Sequence, residues 1–499
     1  MTFLKTISLF KSDDDDVGIL KKEDLKKIHN YSLMILEKTG MKIFNDRMLN
    51  NLKKQGASVD FSNHIVKFPR KLIENTINLV KKDYKKASPP KLISGASNES
   101  SKKVEVSTKF GGACIQFLDW DKQELIEPSI EELINMLKLG EFLPQVSVVG
   151  NPVMFLKDIN GNKIDPKMQR IKTAAEVAKY TRKAGPTEVW NAKELDYLIE
   201  IGSIVKGNKD EYYKNPCFIT AKETISPLIL DKLSAETLLA LAERDLYCCI
   251  CAMTLCGASS PVTPLSGVII ANAEILGVFT AIKSLYPNAR VCGASINGAL
   301  DMSTGLGSFG VPEAAMQDIS LSLLHEYFYG FDFGQGTCYS DSSYPGAQIS
   351  IEKVFKFFIS GLTGHFNYSV GIINNGKCFS PEQALIDIEI VEMLIRFFKG
   401  LKVSDENACI DLINKVGIGG SFLAEEHTLL NFKKDLFLSK LFNKKVSSSL
   451  RNDMENDIIK KANIQVKKIL SRDDLYVIEK GKETEINRIV EKAEKILLS

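Results

Sequence analysis

Between residues 105 and 400 the sequence repeats one pattern, a short extended apolar run followed by a helical stretch, at intervals of roughly 30–40 residues. A chain that keeps alternating in this way builds a mostly parallel sheet covered by helices, which excludes most other architectures. The strand candidates are 106–120 (one strand or a hairpin), 146–153, 186–192, 216–224, 247–257, 289–297, 330–340 and 365–373. Helical stretches lie at about 129–142, 167–183, 193–206, 230–244, 267–286, 311–329, 346–363 and 381–399. About eight strand–helix units predict an α/β fold of the TIM-type (β/α)8 barrel class, with an open doubly wound sheet as the rival.

Side chains alternate faces along a strand. In 330–348, GFDFGQGTCYSDSSYPGAQ, the bulky Phe331 and Phe333 share one parity, while Asp332, Gly334, Gly336 and Cys338 share the other. Two more strands carry small or polar residues on one parity: Gly293, Ser295 and Asn297, then Asn367, Ser369 and Gly371. These predict an open upper barrel, a ligand chamber at the C-terminal ends of the strands. The candidate binding residues there are Trp190, Glu223, Asn297, Gly336, Tyr339, Asp341, Tyr344, Gln348 and Asn374. Aromatic faces beside carboxylates suit an organic cation. Asp341, between Tyr339 and Tyr344, is expected to supply the carboxylate, the alternative being a cap for the helix that follows. Leucine at Gly336 is expected to fill the chamber and leave the fold intact.

The flanks differ in character. Residues 1–103 read as a helical region with a small hairpin (ASVDF, HIVKF) and a Lys/Ser/Pro-rich linker at 84–103. Residues 104–400 form the barrel and 401–499 a helical cap, whose Lys/Glu-rich tail from 446 reads as solvated. A net charge of +2 provides no strong field for nucleic acid or an anionic membrane. The N-terminus does not read as a signal peptide, and no run of about 18 apolar residues stands out as a span, so a cytoplasmic protein is expected.

Other chemistries find weaker support. Cys248, Cys249, Cys251 and Cys256 cluster, but Cys248 and Cys251 fall on opposite faces of a strand and no second CxxC follows, so buried structural thiols are expected and no metal. No HxH or HExxH spacing occurs; His325 and His365 fall away from the ligand face, and His427 reads as capping or packing. Glu274 reads as a hydrogen-bonded buried carboxylate. GLGSFG at 305–310 lacks the Lys-Ser/Thr ending of a phosphate loop.

Several stretches, in order along nearly the whole chain, resemble the trimethylamine methyltransferase family. They are KIHNYSLMILEKTGMKI, ISPLILD (225–231), GASSPVTPLSGVIIANAEILG (257–277), YSDSSYPGAQISIEK (339–353), FSPEQALIDIEI (379–390) and GIGGSFLAEEHTLLNFKKD (417–435). The chain has no pyrrolysine, which the founding trimethylamine enzymes carry, and Ser343 stands where many relatives have lysine. It is similar in this to the branch with glycine betaine:corrinoid methyltransferases. The resemblance implies a TIM-type barrel moving a methyl group from a quaternary or tertiary methylamine, such as a betaine, to the cobalt(I) of a corrinoid. That corrinoid (cobalamin) rides on a separate partner protein, and this chain binds no cofactor tightly. No single catalytic side chain is implied; a homo-oligomer is possible. A non-catalytic quaternary-amine-binding or sensing barrel is the alternative, and a zinc methyltransferase using the cysteines a weaker third.

Overall fold

The computed structural model describes residues 16–17, 19–86, 106–158, 160–336, 339–442 and 457–499. The N-terminal stretch up to Asp15, most of the 84–103 linker, Cys338 and the first part of the tail lie outside the described residues.

The chain is a mixed α/β protein. Two arcs of parallel strands form its centre. In one, Asn367–Ser369 pairs with Ser107–Phe110, which pairs with Val148–Val149, and Val149 bridges to Ala184. In the other, the order is Lys222–Glu223, Cys248–Ala252, Val291–Ser295 and Phe333–Gln335. The arcs approach where Phe218 N donates to Gly185 O. Among the described residues no ladder joins Phe333–Gln335 to Asn367–Ser369; side chains meet there instead, Gln335 against Thr363 and His365. The stretch expected as a strand at 186–192 is extended but forms no ladder, because its backbone partners are spent on loops and caps: Trp190 N and Asn191 N donate to the Glu194 carboxylate, which caps the next helix.

Helices follow the strands much as the periodicity predicts: Ile130–Phe142, Pro166–Tyr180, Leu195–Lys206, Lys232–Glu243, Pro264–Leu285, Pro312–Leu323, Ala347–Leu362 and Pro381–Phe398. Four of these begin with proline in the first turn, where its missing N–H costs nothing. Pro264–Leu285 is apolar all round because it is packed all round, by the strands on one side and by the N-terminal helices on the other. By length and composition it could cross a bilayer, contrary to the expectation of no such run, but 78% of its most apolar window is buried inside the protein.

The N-terminal helices Lys22–Lys38, Asp46–Lys54 and Arg70–Lys86 surround a small sheet in which Ser58–Asp60 and Ile65–Lys67 form the expected hairpin. Met41–Ile43 continues it and pairs with Ile229–Leu230 from the far side of the sequence. Gly40 ends the first helix at φ +81°, where a side chain would strike the Val66 carbonyl. The tail departs from its reading. Ile458–Leu470 packs on Pro381–Phe398, and Lys480–Leu497 packs on Pro166–Tyr180 and Leu195–Lys206. Ala462, Val466, Ile486 and Ala493 therefore join the same apolar core as Leu25 and Leu36, and the tail is an integral layer. Ahead of these tail helices, Asp405–Ala408, Ile410–Val416 and Glu426–Asp435 bury no residue.

Candidate functional site

A cavity of about 260 Å³ lies between the two arcs. Glu223, Cys251, Ala294 and Gly334 sit side by side in register on four neighbouring strands, and all four line it. Lys109 and Ser369, paired on the opposite arc, line it too. Small residues in the Cys251–Ala294–Gly334 row leave the space; valine or leucine there would close it. On the strand 289–297 the inward parity is the reverse of the one expected. A side chain at Gly293 would meet Phe333 and Ile275, toward the helices, and Ser295 Oγ donates to Asp318 of the helix Pro312–Leu323.

Among the described residues, two carboxyl groups face this chamber. Glu188 is held by an arrangement that sequence reading missed. Its Oε2 accepts from Trp190 Nε1 at 2.9 Å and lies 3.1 Å from Arg170 Nη2. The Arg170 guanidinium, wholly buried, stacks 3.6 Å from the centre of the Trp190 ring. A planar cation between an indole face and a carboxylate uses stacking and charge together, and fixes the carboxylate's orientation. Burial pulls the Arg170 pKa down, with Glu188 and Glu194 opposing. Glu223 is open to the chamber yet enclosed by protein, and burial pushes its carboxyl above the usual range. Lys222 opposes that shift, and Glu188 adds a smaller push upward. The signal for Glu188 was in PTEVWNA: glutamate two residues before tryptophan, on one face of an extended segment.

Of the residues singled out from sequence, Glu223, Gly336 and Tyr339 line the chamber. The other six lie outside the lining. Trp190 stands behind Glu188 and orients it. Asn297 is buried between Thr254, whose N and Oγ1 donate to its Oδ1, and Asp318, which accepts from its Nδ2. Burial lifts the Asp318 carboxyl to about 7. Asp341 accepts from Phe309 N at 2.6 Å, Gly310 N at 2.9 Å and Ser308 Oγ, so its charge is spent fastening the 306–310 loop. Tyr344 packs on Trp120 and donates to Gln123. Gln348 donates to Glu352 one turn along its helix, at the surface, and Asn374 donates to Gln116. Gly336 is required by close backbone approach, since a side chain there would come within 2.7 Å of Ser295 O and 2.9 Å of Ile296 Cα. A leucine at 336 therefore disturbs the strand and does not merely fill space.

Glu274 is fully buried and accepts from Thr224 Oγ1, Ser226 Oγ and Leu228 N, a satisfied structural carboxylate. Cys248 points at Leu238 O while Cys251 faces the chamber, so the CxxC pair diverges. Among the described residues no three His, Cys, Asp or Glu side chains converge as metal ligands. His325 and His365 are buried, His365 against Glu326; His427 lies 3.3 Å from Cys409 Sγ in an exposed segment.

The "Trimethylamine methyltransferase (MTTB)" family profile matches residues 4–497. The trimethylamine methyltransferase MttB of Desulfitobacterium hafniense is 25% identical over 82% of this chain and 81% of its own length. A glycine betaine methyltransferase of the same species is 24% identical over 85% and 86%. MttB1 of Methanosarcina acetivorans is 25% identical over 85% of both chains. The crystal structure of Methanosarcina barkeri monomethylamine methyltransferase (MtmB) overlays with a TM-score of 0.43 at 12% identity, covering 92% of this chain and 94% of that one. The relatives are methyltransferases, which does not favour a purely binding or sensing role. By a match that spans nearly its whole length, this chain belongs to the trimethylamine methyltransferase family.

Proposed function

We propose that this chain is a methyltransferase that takes a methyl group from a quaternary N-methyl ammonium compound and passes it to the cobalt(I) of a corrinoid carried by a partner protein. The observation that carries this reading is the Glu188 carboxylate, fixed by Arg170 and Trp190 at the wall of a small chamber with Glu223 beside it. A quaternary nitrogen has no N–H to donate, so recognition rests on charge and an aromatic face, here Glu188, Glu223 and Tyr339. With such a substrate the methyl carbon departs while the C–N electron pair stays on nitrogen, and the amine leaves neutral. No acid is required. What the chain contributes is position and exclusion of water. A tertiary amine fits less well, since its neutral form would leave as an amide anion unless protonated.

In this reading the two parallel arcs are halves of one TIM-type barrel, with residues 1–103 and 401–499 as helical additions. The corrinoid is the methyl acceptor brought by the partner, in a cytoplasmic complex with this chain as a homo-oligomer. The test is direct. Purified chain, cobalt(I) cobalamin and a panel of quaternary, tertiary and secondary methylamines are mixed without oxygen, and the demethylated amine and the loss of cobalt(I) absorbance are followed. Stoichiometric demethylation of a quaternary compound is expected; none from any member of the panel overturns the reading.

A further inference from the structure

Two thiols stand side by side at the floor of the chamber. Cys249 and Cys292 are paired in register on the parallel strands Cys248–Ala252 and Val291–Ser295, one layer below the paired Cys251 and Ala294. Both point inward. Cys248 turns out toward Leu238 O, and Gly293 and Ser295 face the helices, which leaves the alternate residues on the chamber side. Cys249 itself lines the cavity, and Cys292 beside it is wholly buried. A hydrogen bond with Cys249, together with burial, pushes the Cys292 thiol well above its usual range.

Neighbouring strands run about 4.8 Å apart, inside the range of roughly 4.4–6.8 Å between Cα atoms across which a disulfide closes. Side chains standing parallel at that spacing must lean together to bond, so the bridge is strained and readily reduced. Most buried thiols are inert because no reagent reaches them. Here a cavity of about 260 Å³ brings a small oxidant to Cys249. We propose that Cys249 and Cys292 form a redox modification site, a dithiol that closes to a disulfide when hydrogen peroxide enters the chamber. The Cys249 sulfur attacks one peroxide oxygen, the O–O bond breaks, and the departing hydroxide takes the thiol proton and leaves as water. The Cys292 sulfur then displaces hydroxide from the Cys249 sulfenic acid, and the Cys292 proton completes a second water. The two thiols together lose two electrons, and peroxide is reduced to two waters. A dithiol reductant reopens the bridge by exchange. Closure draws the two strands together directly beneath the row that gives the chamber its space, whatever substrate the chamber takes.

Peptide mapping of the full chain tests the assignment. Folded, fully reduced protein is freed of reductant, treated with hydrogen peroxide, quenched, alkylated under denaturing conditions and digested for mass spectrometry. A peptide linking Cys249 to Cys292 is expected, and dithiothreitol added before alkylation should return both thiols. In Cys292→Ala and Cys292→Ser the resolving thiol is gone, so the Cys249 sulfenic acid should persist and be trapped by dimedone. The wild-type map stands even where those variants fold poorly. Cys409 serves as the control. Among the described cysteines it alone is not fully buried, so exposure by itself predicts oxidation there and not at the floor of the chamber. Oxidation confined to Cys409, a bridge from Cys249 to any other cysteine, or full alkylation of both Cys249 and Cys292 after peroxide overturns the site. A bridge that forms only once the chain is heated past its melting transition overturns it as well.

Discussion

Glu188 and Asp341 are both carboxylates following an extended segment, and their surroundings give them opposite work. The Asp341 oxygens are taken by two backbone N–H groups and a serine. One Glu188 oxygen is held by Trp190 and Arg170, and its side chain is 40% exposed. Glu188→Gln should weaken quaternary-ammonium binding at least about tenfold, roughly 1.4 kcal/mol, in a titration. Asp341→Asn should leave that affinity alone and lower stability by about 1–2 kcal/mol, as a lost charge-assisted hydrogen bond requires, measured by denaturant unfolding. pH adds a second check. The Glu223 carboxyl is raised by burial, so it is neutral at the acid end and gains charge above the usual carboxylate range. Cation affinity should therefore rise with pH through that shifted pKa and flatten in Glu223→Gln; a wild-type affinity unchanged across that range would remove Glu223 as a source of the attraction. From sequence, Asp341 drew attention because tyrosines flank it. What decides between the two carboxylates is which donors reach them, and Arg170, eighteen positions before Glu188, lies on a helix whose facing no local pattern reveals.

Helices and strands were legible wherever local periodicity and caps sufficed: the eight helices of the centre begin and end within a few residues of the sequence reading. The facing of a short strand was harder. On 289–297 both parities are small, Gly293 and Ser295 on one and Cys292 and Ala294 on the other, so nothing in the sequence says which looks inward; the Phe333 ring against Gly293 decides it. Gly336 misled for a related reason. It is small because the neighbouring backbone is close, not because a ligand is. Gly336→Leu should accordingly lower the melting temperature markedly and not act as a pure chamber block. The tail helices are amphipathic, and a charged amphipathic helix reads the same whether its apolar side meets water or protein. Ile486, with no exposed surface, separates the two: Ile486→Ala should cost about 2–5 kcal/mol in unfolding experiments, where a solvated position would lose well under 1.

At the scale of the whole molecule, the repeat of strand and helix announced a parallel α/β core, and the motifs announced the family. The way the ends wrap around that core was not legible, since it depends on pairings between residues hundreds of positions apart. Met41–Ile43 finds its partner strand at Ile229–Leu230, and the apolar side of Lys22–Lys38 lies on Pro264–Leu285. This arrangement has a consequence for synthesis. When the first small sheet leaves the ribosome, the surfaces that will cover it have not been made. Roughly 220 more residues must be added before Leu285 emerges, which at about 5–20 residues per second takes on the order of ten to forty-five seconds. Throughout that interval the side of Lys22–Lys38 that packs on Pro264–Leu285 lacks its cover. A chain released after Thr263 should sediment with chaperones or aggregate, and one extended past Leu285 should become resistant to protease over its first seventy residues, a difference that pulse-labelled translation of the two lengths would measure. The newborn N-terminus is thus a client waiting for its own middle.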